Sequence, residues 1–148
     1  MTAPTVYILF PGTARQALGF YAGVFGGELS LHTNGDFGSS GPPGAIAHGV
    51  LNGAVRLYGA DAGRQEPSVR PEGLMLSLLG AAEPPLLHQW FDQLADGGRI
   101  VDPLTPKAWG ASDGQVIDRY GLHWLIGYEP AAEGSSEAST EGNGLHDA

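Results

Sequence analysis

None of the 148 residues is cysteine, which excludes disulfides, thiolate nucleophiles and thiolate metal sites. Basic residues are also scarce, with 7 Lys and Arg against 16 Asp and Glu and a formal net charge of −9. Contacts to phosphate backbones need a basic surface, so no nucleic-acid partner is expected. No apolar run approaches the roughly 18–20 residues of a membrane helix, so no membrane partner is expected either. The opening Met1-Thr2-Ala3-Pro4 lacks a basic segment, and no signal peptide is expected. Together with the missing cysteines, this points to the cytoplasm. The Gly-rich stretch 35–44 has neither the Lys nor the strand–loop–helix context of a phosphate-binding loop. Ser, His and Asp are present without nucleophile-elbow spacing, so hydrolase chemistry has no support.

The acid excess is uneven. Glu129, Glu133, Glu137, Glu141 and Asp147 fall in residues 129–148, which hold no Lys or Arg. That segment is rich in Gly, Ser, Ala and Glu, and reads as a disordered acidic tail because it buries too little to offset its ordering entropy. Residues 1–128 retain 11 acids against 7 bases and read as one domain.

Within that domain a pattern occurs twice, in modules at about 4–61 and 72–128. Thr5–Phe10 reads as an apolar strand. A helix opens at Thr13 or Ala14, with Leu18, Tyr21 and Phe25 on one face, and stops at Gly26-Gly27. Glu28–Thr33 alternates as a strand. Ile46–Leu51 and Ala54–Gly59 read as a hairpin about Asn52-Gly53. In the second module Leu74–Leu79 is the apolar strand. Leu87, Trp90, Phe91 and Leu94 mark a helix that ends at Gly97-Gly98. Arg99–Val101, Gln115–Asp118 and His123–Tyr128 complete it. Aligning Gly26-Gly27 with Gly97-Gly98 also places Phe20 on Phe91, as a duplicated β-α-β-β-β unit would. The class is α+β.

Several stretches carry a family resemblance. Gly12-Thr13-Ala14-Arg15-Gln16-Ala17-Leu18-Gly19-Phe20-Tyr21, then Val24-Phe25-Gly26-Gly27-Glu28, is followed by Ala47-His48-Gly49 and Arg56-Leu57-Tyr58-Gly59-Ala60-Asp61. Trp109-Gly110, Gly114, Asp118, Gly121 and Trp124 close the series. Over about residues 4–128 the chain resembles the vicinal oxygen chelate superfamily of glyoxalases, bleomycin-resistance proteins and dioxygenases, most of all its PhnB-like branch. The resemblance implies two βαβββ modules forming a curved mixed sheet around a cleft, and a homodimer. Metal-dependent members hold one divalent ion with His or Glu/Gln ligands from the first and fourth strands of each module. Here the inward candidates are Val6 and Ile8, then Leu74, Leu76 and Ser77, then Leu125 and Ile126. Only the first hairpin offers polar groups, namely His48, Tyr58 and Asp61. One His and one Asp do not make a three-ligand catalytic site, so no cofactor is predicted, with a divalent metal as the alternative.

The expected function is therefore metal-free binding or sequestration of a small organic ligand. Phe10, Tyr58, Trp109 and Trp124 would surround it. Ser77 and Gln115 would add hydrogen bonds, and His48 would be the main polar contact. Trp109 reads as cavity wall because it offers a flat apolar face and one donor. His48 has two readings, a ligand-facing group or a hydrogen-bonded core histidine on a face shared with Ile46 and Val50. His32 reads as exposed, and His88 and His146 as surface groups. His123 points opposite to Trp124. The alternative is a lyase, isomerase or dioxygenase using a divalent metal or His48 as general base.

Overall fold

The computed structural model describes residues 3–131, so most of the acidic tail lies outside the described residues. Each module has the expected order. The first runs β1 (Tyr7–Phe10), α1 (Ala14–Phe25), β2 (Glu28–Thr33), the short α2 (Asn34–Phe37), β3 (Ile46–Asn52) and β4 (Leu57–Asp61). The second runs β5 (Leu76–Leu79), α3 (Pro84–Ala95), β6 (Arg99–Pro106), β7 (Ser112–Ile117) and β8 (His123–Tyr128). The sheets have the orders β1-β4-β3-β2 and β5-β8-β7-β6. In each, the first strand pairs parallel to the last and the other ladders are antiparallel. Identical strand order in both halves is the topology that the repeated pattern implies.

Each helix covers one face of its own sheet. The α1 stripe of Ala17, Leu18, Tyr21, Val24 and Phe25 is buried, as is the α3 stripe of Leu87, Trp90, Phe91 and Leu94. Fully burying a side chain such as Leu18 or Leu94 contributes roughly 1.5–3 kcal/mol. The stripes meet: the Phe25 ring lies edge-on to Trp90 at 5.0 Å and 5.3 Å from Trp124. One apolar cluster thus spans both modules. The diglycines end the helices where the following strand must pass close to a hairpin. A Cβ on Gly27 would meet the Asn52 carbonyl oxygen at 2.6 Å, and one on Gly98 would collide with that of Ile117.

Two elements depart from the periodicity. Leu51 pairs with Leu57, so the first hairpin turns over more residues than Asn52-Gly53. Val55 dips into the core and Gly53 packs against Gly27, and a two-residue turn would allow neither. Strand β6 runs five residues beyond Val101. Register shifts between Ile100 and Asp102 and between Asp102 and Thr105 break its alternation, and Pro103 and Pro106 are tolerated because it is an edge strand.

Candidate functional site

Alternation along β1 sends Ile8 and Phe10 into the core and Tyr7 and Leu9 to the opposite face. Val6 and Ile8, the inward candidates of the sequence, therefore do not face a cleft with Tyr7: Ile8 is in the core. The phase is set by apolarity, since the helix-covered face takes Ile8 and Phe10 and leaves Tyr7, the one residue of the strand with a polar side-chain atom, on the other. On β3 a bulge decides the outcome. His32 pairs with His48 but Thr33 pairs with Ile46, leaving Ala47 as an extra residue. The extra residue inverts the phase. Ile46 joins the core, while His48 lies with Tyr7 and Tyr58 on the face away from α1. His48 and Ile46 therefore do not share a face.

The three rings form one cluster. The Tyr7 hydroxyl lies 3.0 Å from His48 Nδ1 and 3.5 Å from the Ala47 carbonyl oxygen. The Tyr7 and His48 rings stack at 5.6 Å, and Tyr58 stands steeply to both, 5.9 Å from His48 and 6.3 Å from Tyr7. Partial burial, helped by the Glu66 charge, raises the Tyr7 pKa above its usual 10.0, so the phenol keeps its proton at neutral pH. Tyr7 was absent from the predicted site. Its signal was the unequal apolarity of alternate residues in Tyr7–Phe10.

Tyr7 also walls an open cavity of about 1280 Å³. Leu9, Ala60 and Asp61 line it from the sheet, Gly12, Arg15 and Gln16 from the start of α1, and Arg64 and Glu66 from the segment after β4. Asn34 at the start of α2 and Ser40 and Pro42 in the loop before β3 also line it. Asp61 is held by the backbone, with Oδ1 accepting from Ala14 N–H at 2.9 Å and Oδ2 from Ile46 N–H at 2.8 Å. It fixes the starts of α1 and β3 relative to each other.

On the second sheet, Ser77 and Gln115 flank Leu125 in one cross-strand row, and Ser77 is exposed. Gln115 Oε1 lies 2.9 Å from His123 Nε2. The remaining predicted site residues lie elsewhere. Phe10 and Trp124 are 0% and 1% exposed in the shared core, with no surface for a ligand. Trp109 is 71% exposed on the turn between β6 and β7 and lines neither the Tyr7 cavity nor two others, beside Leu76 and beside Phe20. The turn carries it into solvent past the end of the β6–β7 ladder, so it is not a cavity wall. His88, expected at the surface, is half-buried with Nε2 2.9 Å from the Tyr128 hydroxyl. His32 is exposed and stacks on Phe37.

The closing motif has a structural explanation. Asp118 is buried in its turn and accepts four hydrogen bonds. Oδ1 takes the N–H groups of Tyr120 and Leu122, and Oδ2 takes the Tyr21 hydroxyl at 2.7 Å and Trp124 Nε1 at 2.8 Å. Asp118 and Trp124 thus hold the hairpin shut and tie it to α1.

A divalent ion, which the resemblance brings into question, does not fit these residues. Among the described residues no three His, Cys, Asp or Glu side chains converge. The side chains around His48 are tyrosines, and Asp61 is committed to two backbone donors. No helix among the described residues is long and apolar enough to cross a membrane.

Two modules of this topology, each with its helix on one face of its sheet, define a recognisable class. No protein-family model matches the chain. Protein YjdN of Escherichia coli is 28% identical over 137 residues, 81% of this chain and 90% of that protein. The structure of PA1353 from Pseudomonas aeruginosa is 30% identical with a TM-score of 0.75, over 87% of this chain and 98% of that one. A PhnB protein from Bacillus cereus shares the fold at 21% identity and a TM-score of 0.68, over 86% and 99% of the two chains. A member of the glyoxalase/bleomycin resistance protein/dioxygenase superfamily from Sphaerobacter thermophilus does so at 13% and 0.52, over 87% and 99%. The chain is a relative of PA1353 and has the fold of the glyoxalase/bleomycin resistance protein/dioxygenase superfamily.

Proposed function

We propose that the chain binds a small organic molecule, without a metal, in the cavity bordered by Tyr7, and acts by sequestering it in the cytoplasm. The observation that carries this reading is the cavity itself. Its 1280 Å³ exceeds the roughly 300–1,000 Å³ of ordinary ligand sites, and its wall mixes apolar groups with a few polar ones. The His48 pair lies next to it through Tyr7. A thermal-shift screen of small aromatic acids, alcohols and amines tests the reading. Ala62 also lines the cavity, and hits should weaken in Ala62→Trp, which sets a bulky ring on that wall, while that variant keeps its circular dichroism spectrum. Hits that persist in a folded Ala62→Trp would place binding elsewhere.

A second reading, acid–base catalysis, is favoured by the Tyr7–His48 contact. If the Tyr7 hydroxyl donates to the Ala47 carbonyl, Nδ1–H of His48 donates to the Tyr7 oxygen. Nε2 is then left as a free base. That reading requires turnover that is lost in His48→Ala and whose pH profile moves in Tyr7→Phe.

The proposal includes a homodimer. Leu74, Leu79, Ile100 and Val101 are exposed in the single chain, and a partner that covered them would remove apolar surface from water. Sedimentation equilibrium reads the outcome directly, and a monomer at micromolar concentration overturns it.

A further inference from the structure

The charges around the cavity are not equivalent. Its acids are already engaged. Asp61 accepts the N–H groups of Ala14 and Ile46, and Glu66 Oε1 accepts that of Gly63 at 2.7 Å. Asp36, close enough to Arg15 to feel its charge, is locked in a reciprocal capping pair with Thr33. The cavity's bases are different. Among the described residues Arg15 and Arg64 make no ion pair and donate no side-chain hydrogen bond, whereas Lys107 is paired with Asp102 and Arg119 with Asp96. Arg15 also stands on the first turn of the twelve-residue α1. The N-cap residue Thr13 makes no side-chain capping bond, and the first turn carries no acid of its own. Gly12, Arg15 and Gln16 bring this helix start to the cavity wall, where Asp61 takes the Ala14 N–H. Gln16, Asn34 and Ser40 add neutral polar groups, and Tyr7, Leu9 and Ala60 supply apolar wall.

We propose that this cavity selects organic anions: a carboxylate or phosphate-ester head held by Arg15 and Arg64, on a short apolar body packed against Tyr7 and Leu9. The inference rests on the reading of the cavity as a ligand site. Guanidinium groups suit both heads because their forked donors match planar carboxylate and phosphate oxygens in pairs.

Calorimetric titration of the full chain at low salt with four probes of one shape tests it. The probes are benzoate, phenyl phosphate, benzyl alcohol and benzylammonium. Both anions should bind on the order of tenfold or more tighter than the alcohol and the cation. The double variant Arg15→Gln/Arg64→Gln should abolish that preference without moving the alcohol, while Arg56→Gln, outside the cavity, leaves it intact. The stronger of the two anions identifies the head group. A preference for benzylammonium, or an anion preference that survives in the double variant, overturns the proposal. Ala62→Trp separates the two levels. If it removes all binding while the arginine variants change nothing, the cavity stands and the anion inference falls. If anions still bind to it normally, or no probe binds the wild type, both fall.

Discussion

Asp118 is the clearest single-residue lesson. In sequence it marks a turn and supports a family resemblance. In the structure it is a buried carboxylate satisfied by two backbone and two side-chain donors. Asp118→Ala should cost about 3–5 kcal/mol in chemical denaturation, because four donors lose their acceptor and two of them are buried side chains. Trp109→Ala should stay within about 0.5 kcal/mol, since the ring is exposed and packs on no core residue. The same pair shows what the sequence left open. Residue type told that Trp109 and Trp124 each matter somewhere, but the side of the backbone on which each lies depends on register. Trp124 followed the alternation of β8 inward. Tyr7, Arg15 and Arg64 were invisible as a group because a strand, a helix start and a linker contribute one each.

At the level of elements, the helices and their buried stripes were legible, because 3.6-residue spacing survives unless the chain is interrupted. Strands were less so. A bulge at Ala47 and two register shifts in β6 each reset a period of two, and nothing local in Ile46-Ala47-His48 announces the reset. The diglycines were legible as helix stops, yet their second role, close approach to a hairpin, needed coordinates. Two glycine substitutions separate these roles. Gly98→Ala should destabilise by roughly 1–3 kcal/mol, since the added carbon meets the Ile117 carbonyl and the Asp118 backbone. Gly19→Ala, inside α1 with nothing within 4 Å of the new carbon, should stabilise by about 0.5–1 kcal/mol. Urea midpoints of the two variants read both signs.

For the whole molecule, alkaline pH provides the test. Burial, reinforced by the Asp118 carboxylate, pushes the Tyr21 pKa far above its usual 10.0. The folded state therefore favours the protonated phenol. As pH rises past 10 the unfolded chain releases this proton first, so stability is whole below that point and falls above it. The slope from this group approaches about 1.4 kcal/mol per pH unit. Tyr21→Phe should be less stable at pH 7, having lost its bond to Asp118, but its stability should fall less steeply between pH 10 and 11. Equal slopes would mean that Tyr21 titrates alike in both states.

The Tyr21–Asp118 bond also bears on how a duplicated chain stays whole. Its donor belongs to one repeat and its acceptor to the other, 97 positions apart. The matching turn of the first repeat, Gly53-Ala54-Val55-Arg56, carries no acid. Two copies of the first half cannot rebuild the joint, and neither can two copies of the second. If the chain were severed in the 62–75 segment, the fragments would be complements rather than duplicates. Mixing them should restore the Tyr21–Asp118 joint, which neither fragment can rebuild with a copy of itself.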